Sequence, residues 1–274
     1  MSSFPNGAPD TVHKAIIFED VSIGFDDLQV LDRVSFELQR GETKVVLGIA
    51  GSGKSTILKL CLGLLKPDSG HIYVLGHDIT TMSEEELFDL RNQVGIVFQE
   101  SALFDSLNVR DNVAFRLMEE HLPEDEVERR VRESLSFVEL EDAIDKLPSE
   151  LSGGMRRRVG IARAIITHPE VLLYDSPTGG LDPITSTTII ELIMKQRDVY
   201  KTSALLVSHR LQDGFTLASH YFDPVTKHMQ PTDGRPQREI HTRFMVLREG
   251  KVIFEGTAPE LGKVKDVYIR EYIS

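Results

Sequence analysis

The chain has 274 residues, of which 41% are hydrophobic and 27% are charged, and its formal net charge is −12. This length can bury a large core, and the acidic balance argues against a nucleic-acid partner. The single cysteine, Cys61, excludes an internal disulfide. No run approaches the roughly 18 apolar residues of a membrane span, so we expect no direct membrane insertion. Arg156–Arg158 are the one candidate for a local basic patch.

The first part of the chain predicts a small antiparallel sheet ahead of the core. Residues 1–12, which contain two prolines and a glycine, are expected to form a disordered tail. Short β-rich runs follow at Ala15–Phe18 and Val34–Leu38, with turn residues between them. Lys44–Gly48 is an apolar strand, and Ser55–Leu65 is predicted to be a helix.

Strands and helices alternate in the rest of the chain, which predicts a parallel sheet wrapped by helices. The helical pattern between Ser101 and Ser149 indicates an inserted subdomain, and His220–Arg243 is either a long loop or an extra hairpin. The predicted strands are Val94–Phe98, Val171–Tyr174, Ala204–Val207 and Phe244–Arg248, and the predicted helices are Arg156–Thr167 and Thr185–Tyr200.

Gly48–Ser55 matches the phosphate-loop pattern G-x-x-x-x-G-K-[ST] and lies between a predicted strand and a predicted helix. Its glycines let backbone N–H groups converge on phosphates, Lys54 neutralises their charge, and the Ser55 hydroxyl is a Mg²⁺ ligand. We therefore predict binding of a nucleotide and Mg²⁺, and the family resemblance given below implies that the nucleotide is ATP. The nucleotide-binding residues expected here are Gly48, Ile49, Ala50, Gly51, Ser52, Gly53, Lys54, Ser55 and Thr56.

Two further segments carry phosphate chemistry. Asp175 ends an apolar strand, where a carboxylate can hold Mg²⁺ through its water shell. Leu151–Met155, the signature loop, is a second glycine-rich loop that opens a helix and offers a second ring of N–H donors. One nucleotide does not need two such cradles. The second therefore indicates a nucleotide held by another copy of the chain.

These residues resemble the ATP-binding cassette (ABC) ATPases over nearly all of residues 13–262. The resemblance implies further roles. Phe25 stacks on adenine, Gln99 contacts Mg²⁺ and the attacking water, and His209 is a switch histidine. It also implies that Ser152, Gly153 and Gly154 of the signature loop contact the partner's nucleotide, and that Asp182 belongs to a dimer-interface loop. The catalytic positions that the resemblance implies are Lys54, Gln99, Asp175, Ser176 and His209. The metal ligands that it implies are Ser55, Gln99 and Asp175.

The fold implied is an α/β P-loop NTPase with a RecA-like parallel sheet core, an N-terminal antiparallel β subdomain and an inserted helical signature subdomain. The nucleotide-binding domain would span residues 13–262, with its core at 13–100 and 156–262 and its helical subdomain at about 101–155. Residues 220–243 would be an extra loop or hairpin, and 263–274 a C-terminal tail. The partners implied are a second nucleotide-binding subunit and an integral membrane permease, which would hold the chain at the cytoplasmic face of a membrane.

A looser resemblance points to the Mla/MCE-type phospholipid transport ATPases. It rests on Phe98–Val109, on Lys146–Glu150 before the signature loop and on Met155–Val159 after it. In that family the permease is coupled to lipid carriers with MCE domains.

One departure from the family pattern lies at Ser176, where the family has a glutamate that polarises the attacking water. A serine hydroxyl cannot accept a proton at neutral pH, so general-base assistance of roughly 10²–10⁴-fold should be missing. Three explanations stand. The serine is natural and His209 or Gln99 positions water at a slow rate, it is engineered to trap ATP, or this chain pairs with a competent relative.

Other functions compete with lipid transport. Lipid transport is the leading hypothesis, and the alternatives are a transporter of another substrate class or a regulatory cassette that binds ATP with little turnover. A cassette acting on nucleic acid or ribosomes is disfavoured by the single cassette, the single cysteine and the acidic charge.

Overall fold

The computed structural model describes residues 13–26, 28–119, 122–232 and 242–273, and the expected tail at residues 1–12 lies outside them. The strands are Lys14–Phe25 (β1), Leu28–Gln39 (β2), Thr43–Leu47 (β3), Ser69–Val74 (β4), His77–Asp78 (β5), Val94–Val97 (β6), Val171–Asp175 (β7), Ser203–Val207 (β8), His220–Asp223 (β9), His228–Pro231 (β10), Thr242–Arg248 (β11) and Lys251–Gly256 (β12). The α-helices are Lys54–Cys61 (α1), Glu84–Arg91 (α2), Val109–Ala114 (α3), Glu124–Phe137 (α4), Gly153–Ile165 (α5), Pro183–Tyr200 (α6), Leu211–Ser219 (α7), Ala258–Leu261 (α8) and Val267–Ile273 (α9).

The central sheet has six strands in the order β12-β11-β3-β8-β7-β6. The strands from β11 to β6 run parallel to their neighbours, and only β12 is antiparallel. In the register of the sheet, Val207 pairs with Val46 on one side and with Asp175 on the other. The carboxyl ends of β3, β8 and β7 are therefore level, so the loops that follow them meet at one edge.

The central sheet is buried on both faces, which explains why its strands are continuous apolar runs. Leu172 and Leu206 face a cluster that includes α3, α4, α5 and α6, while Leu173 and Leu205 face a second cluster formed with α1, α2 and the N-terminal strands. Burying each such side chain contributes about 1.5–3 kcal/mol. The predicted parallel core is confirmed, and its two helical layers hold the loop ends in place.

The predicted antiparallel sheet is confirmed as a four-stranded sheet in the order β2-β1-β4-β5. Its first two strands are 12 residues each, much longer than the runs expected from the sequence. Register shifts between Phe18 and Val21 and between Val21 and Ile23 interrupt the alternation that sequence reading relies on. The stacked rings of Phe18 and Phe36, with centroids 4.6 Å apart, join the two strands.

Two helix boundaries differ from expectation because of their caps. Helix α5 begins at Gly153 rather than at Arg156, since Ser152 is the N-cap and its side chain accepts a hydrogen bond from the Met155 N–H. Helix α1 ends at Cys61 rather than at Leu65. Gly63, with φ of 64°, turns the chain there.

The segment at 220–243 contains a hairpin formed by β9 and β10, and residues 233–241 lie outside the described part. The hairpin is fixed to α6, because Met229 N–H donates to Glu191 at 2.6 Å and Phe222 N–H donates to Asp198 at 2.7 Å. The interval 263–274, expected to be a tail, contains helix α9, and Ile269 of this helix is buried in the core.

Candidate functional site

The phosphate loop (Gly48–Ser55) connects β3 to α1. Gly53 precedes the helix with φ of 97°, and a Cβ built there would lie 2.5 Å from Leu31 Cδ2 and 3.0 Å from the Val30 carbonyl oxygen. Only glycine fits this position, because the left-handed backbone and the close approach of β2 both exclude a side chain. The loop thus holds its N–H groups in the curved arrangement that binds phosphate.

Lys54 lies over the same loop. Its Nζ donates to the carbonyl oxygens of Gly48 at 2.8 Å and Ile49 at 2.7 Å. Burial lowers the pKa of Lys54, and the nearby charge of Asp175 opposes that shift. The ammonium therefore lies partly desolvated between the loop and the end of β7, where phosphate charge would interact with it strongly.

Four predicted catalytic positions follow the parallel strands at this edge. Asp175 is the last residue of β7, and Gln99 and His209 follow β6 and β8 as exposed residues. Ser176 is buried and adopts φ of 46°. Gln99 is close to the loop after β7, because its Nε2 lies 3.5 Å from a Cβ built at Gly179.

The predicted metal ligands have the donor chemistry that Mg²⁺ requires. Ser55 offers a hydroxyl in the first turn of α1, Asp175 a carboxylate and Gln99 an amide oxygen. All three are hard oxygen donors, which Mg²⁺ prefers together with retained water. The donor chemistry of these residues therefore fits a Mg²⁺ ion, which Ser55, Asp175 and Gln99 would hold.

Phe25 ends β1 and pairs with Leu28 at the start of β2. Its side chain is 45% exposed, which is unusual for a phenylalanine and leaves the ring face open for stacking. Strand β2 then passes the phosphate loop at Val30 and Leu31. Phe25 therefore lies beside the start of the strand that flanks this loop.

The signature loop lies against the start of α6. A Cβ built at Gly154 would be 2.4 Å from Thr185 Cγ2. Thr185 is itself fixed, since its N–H and hydroxyl donate to the N-cap residue Asp182 at 3.0 and 2.6 Å. These bonds also lower the pKa of Asp182. The structure thus brings two predicted interface elements, the signature loop and Asp182, together on one surface, with Ser152 and Gly153 exposed.

This contact predicts that Gly154→Ala destabilises the chain. The new methyl group must displace Thr185 from its bonds to Asp182, and overpacking of this kind costs about 1–3 kcal/mol. Gly153→Ala is the matched control, because its Cβ would lie 3.9 Å from the nearest atom. Chemical denaturation should show a lower free energy of unfolding for Gly154→Ala alone. Equal values for the two variants would contradict the contact.

The sequence did not indicate a buried polar cluster beside His209. Asp213 is only 3% exposed, accepts a hydrogen bond from Ser208 at 3.2 Å and another from Thr178. Arg210 donates to Ser186 at 2.7 Å and to the Thr178 carbonyl oxygen at 3.4 Å. The cluster ties the residues on both sides of His209 to the loop after β7.

The three arginines proposed as a basic patch do not form one. Each of them donates to backbone carbonyl groups, and the middle one, Arg157, is turned into the protein. Arg156 bonds Leu151, Arg158 bonds Val138 and Glu139, and Arg157 is buried against the loop after β7. The spacing of Arg157 with Ile161 and Ala164 on the buried face of α5 is the signal that sequence reading missed.

Helix α9 also reaches the phosphate loop. The Ile49 N–H donates to the Tyr268 hydroxyl at 3.4 Å, and the Arg248 guanidinium lies 5.0 Å from the centre of the Tyr268 ring. A residue from the expected tail therefore contacts one of the backbone groups predicted to bind phosphate.

Sequence comparison finds the ABC transporter family model over residues 31–179. Protein TRIGALACTOSYLDIACYLGLYCEROL 3, chloroplastic, of Arabidopsis thaliana is 40% identical over 92% of this chain and 71% of that protein. The intermembrane phospholipid transport ATP-binding protein MlaF of Haemophilus influenzae is 32% identical over 90% of this chain and 85% of its own length. The methionine import ATP-binding protein MetN of Bifidobacterium longum is 40% identical over 69% of this chain, which spans 47% of that relative.

Solved structures agree with this. A dimeric ATP-binding cassette in a post-hydrolysis state with bound ADP and phosphate matches with a TM-score of 0.73 and 26% identity, over 88% of this chain and 98% of that one. CbiO1 of Clostridium perfringens, part of an ABC transporter complex, matches with a TM-score of 0.75 and 28% identity, over 95% of each chain. Within the described residues of this protein, no helix is long and apolar enough to cross a membrane.

Proposed function

The chain belongs to the ABC transporter family and is an ATP-binding, ATP-hydrolysing subunit, and from this premise we propose that its transporter moves phospholipid. The observation that carries the proposal is its similarity along 90–92% of its length to two relatives, one named for phospholipid transport and one after a galactolipid. The segments Phe98–Val109, Lys146–Glu150 and Met155–Val159 support it, because they resemble the Mla/MCE-type ATPases.

We propose that the phosphate loop and Thr56 bind the ATP phosphates, with Phe25 against the adenine. Lys54 neutralises phosphate charge, while Ser55, Gln99 and Asp175 would hold Mg²⁺, which shields the charge that develops during hydrolysis. Gln99 and His209 would orient the attacking water. Ser176 occupies the general-base position without a basic group, so this geometry supports tight closure over ATP and slow hydrolysis.

The exposed signature loop supports a homodimer. Ser152 caps α5 with its side chain, and Ser152 and Gly153 are exposed at the helix start, where the first N–H groups have no partner within the helix. With Asp182 adjacent, this surface would close on the nucleotide of a second copy. A solved relative is itself described as a dimer with ADP and phosphate.

An apolar groove supports docking of an integral permease, which would hold the chain at the cytoplasmic face of the membrane. The groove has a volume of about 460 Å³ and is lined by Leu64, Ile96, Phe98, Ala102, Phe104 and Phe115, with Arg91, Arg116 and Arg163 around it. Phe104 and Phe115 are each more than 40% exposed, although the centroids of their rings lie only 4.4 Å apart. Exposed aromatic clusters of this kind mark interaction surfaces. The arginines favour a helix with acidic side chains.

The groove predicts that Phe104→Asp prevents assembly with the permease. The charged group would be desolvated by the docked helix, which costs several kcal/mol. The measurement is affinity purification of the tagged chain from detergent-solubilised membranes. Val225→Asp is the control, since Val225 is 87% exposed at the tip of the β9–β10 hairpin, outside the groove. Equal recovery of the permease with both variants would exclude this groove.

The same purification tests the substrate class. Methionine import is the second candidate, because MetN proteins are 34–40% identical to this chain. A co-purified permease that brings an MCE-domain protein would support lipid transport, and one whose reconstituted complex hydrolyses ATP in response to methionine would overturn it. We expect the lipid outcome.

A further inference from the structure

The loop after β7, Ser176–Gly179, is held by a buried arginine from the signature helix. Arg157 Nη1 donates to the carbonyl oxygens of Ser176 at 3.0 Å and Pro177 at 2.6 Å, and Nη2 donates to that of Gly179 at 3.3 Å. A single side chain thus fixes three of the four peptide groups of this loop.

Burial of the charged Arg157 guanidinium is unfavourable in free energy. Arg157 is 5% exposed, burial lowers its pKa, and within the described part of the chain its Nε has no hydrogen-bond partner. Among the described residues it forms no ion pair with a carboxylate, and only the more distant charge of Glu100 acts on it favourably. The hydrogen bonds to backbone carbonyl oxygens offset part of the cost of removing the Arg157 charge from water. Burying a charge in this way costs far more than a packed apolar side chain, so the arrangement points to a role beyond stability.

Arg157 connects the signature loop, which would contact the partner's nucleotide, with the Ser176–Gly179 loop, which flanks the nucleotide site of its own chain. It lies five residues after Ser152 on one rigid helix, which places it about 7.5 Å along the helix axis from the signature loop. Its bond to Gly179 fixes the peptide beside which Gln99 Nε2 lies. A shift of the signature loop therefore moves the loop that flanks Asp175 and Gln99.

The Ser176–Gly179 loop has two features that a shift of the signature loop would affect: a strained backbone at Ser176 and a hydrogen bond at Thr178. Ser176 adopts a left-handed φ of 46°, a strained conformation for serine that its surroundings must maintain. Two residues further on, the Thr178 hydroxyl is bonded to Asp213. Loss of Arg157 would leave the strained Ser176 held by its own N–H bond to the Val207 carbonyl oxygen and by this Thr178–Asp213 bond, with its carbonyl oxygen released from the guanidinium.

We propose that Arg157 is a positioning residue for ATP hydrolysis, which links the signature loop bound to the partner's nucleotide with the Ser176–Gly179 loop of its own site. The proposal rests on the dimer of the proposed function. Because the link runs from one nucleotide to the other, it makes hydrolysis at the two sites cooperative.

The test compares Arg157→Met and Arg157→Lys with the parent chain, in both the Ser176 sequence and the Ser176→Glu background. Steady-state phosphate release gives kcat, KM and the Hill coefficient for ATP, and fluorescent ATP titration gives affinity. We expect Arg157→Met to lower kcat by about 10²-fold, the effect of a misplacement of about 1 Å, and to bring the Hill coefficient to 1. ATP affinity should stay unchanged, since the phosphate loop and Lys54 are intact. Arg157→Lys should restore part of kcat.

Arg158→Met is the matched control. Arg158 lies on the same helix and also bonds carbonyl oxygens, those of Val138 and Glu139, away from the Ser176–Gly179 loop. A lower melting temperature with parental kcat and Hill coefficient in Arg157→Met would overturn the proposal and leave a structural role. If Arg157→Met does not fold, kcat and the Hill coefficient of Arg157→Lys test the proposal instead. Absence of hydrolysis above the Lys54→Ala background in every form would instead overturn the proposed function.

Discussion

Ser176→Glu is expected to raise ATP turnover by about 10²–10⁴-fold, the contribution that a positioned general base makes. Ser176 directly follows Asp175 at the end of β7, and its Cβ lies 3.5 Å from a Cβ built at Gly179, the same point that is 3.5 Å from Gln99 Nε2. A carboxylate carried on this backbone would therefore lie near the Gln99 amide group, which the family resemblance assigns to the attacking water. The backbone strain at φ of 46° is the same for serine and glutamate.

The matched control for this change is Ser176→Gln, which has the shape of glutamate without a proton-accepting carboxylate. Turnover should rise only with glutamate, while ATP affinity should be similar in all three forms because the phosphate loop is untouched. Phosphate release by the purified chain is the measurement. If the natural chain already turns over as fast as Ser176→Glu, Gln99 and His209 suffice to activate water, and the missing carboxylate has no kinetic consequence.

The same assay separates the three explanations of the serine. Slow but measurable turnover of the natural homodimer supports a natural substitution with water held by other residues. Turnover that appears only when a second, glutamate-bearing chain is added would support a heterodimer. A chain that stays closed on ATP without release would support the remaining explanation, a serine introduced to trap ATP, and would behave as a nucleotide-gated cassette.

The fold could be predicted largely from the sequence because its core elements are local and apolar. Strands β3, β7 and β8 are continuous buried runs, and the phosphate loop has a fixed spacing between a strand and a helix. What the sequence did not predict is set by tertiary contacts. Strand β12 is set by its pairing with β11, since only its last residue, Gly256, is buried, and α9 is ordered by burying Ile269.

Some residues of the candidate site could likewise be predicted from the sequence, and others are set by tertiary contacts. Lys54 and Asp175 are predicted from motifs, because the chemistry requires those groups at those positions. Arg157 and Asp213 are not, because each acts on backbone or hydroxyl groups that are 19–35 residues distant in the sequence. A run of three arginines suggests a charged surface, and only burial shows that the middle one faces inward.

Lys54→Ala is expected to weaken ATP binding by roughly 30- to 5,000-fold, which corresponds to about 2–5 kcal/mol for truncating one partner of a desolvated charge pair. The ammonium is fixed by the Gly48 and Ile49 carbonyl oxygens and partly buried, so little reorganisation is needed when phosphate oxygens approach. Lys59→Ala is the control, because Lys59 lies on the same helix but is exposed. Equal affinities of the two variants would contradict the assigned role.

The pH dependence of binding identifies the ammonium itself as the cause. Burial lowers the pKa of Lys54, so in the free protein this group loses its proton at a lower pH than an exposed lysine. Phosphate charge favours the protonated form and raises that pKa. Affinity for ATP should therefore fall as pH rises above the pKa of the free protein, while binding takes up a proton. Lys54→Ala should lose this alkaline limb, and Lys59→Ala should keep it. An unchanged alkaline limb in Lys54→Ala would assign the titration to another group.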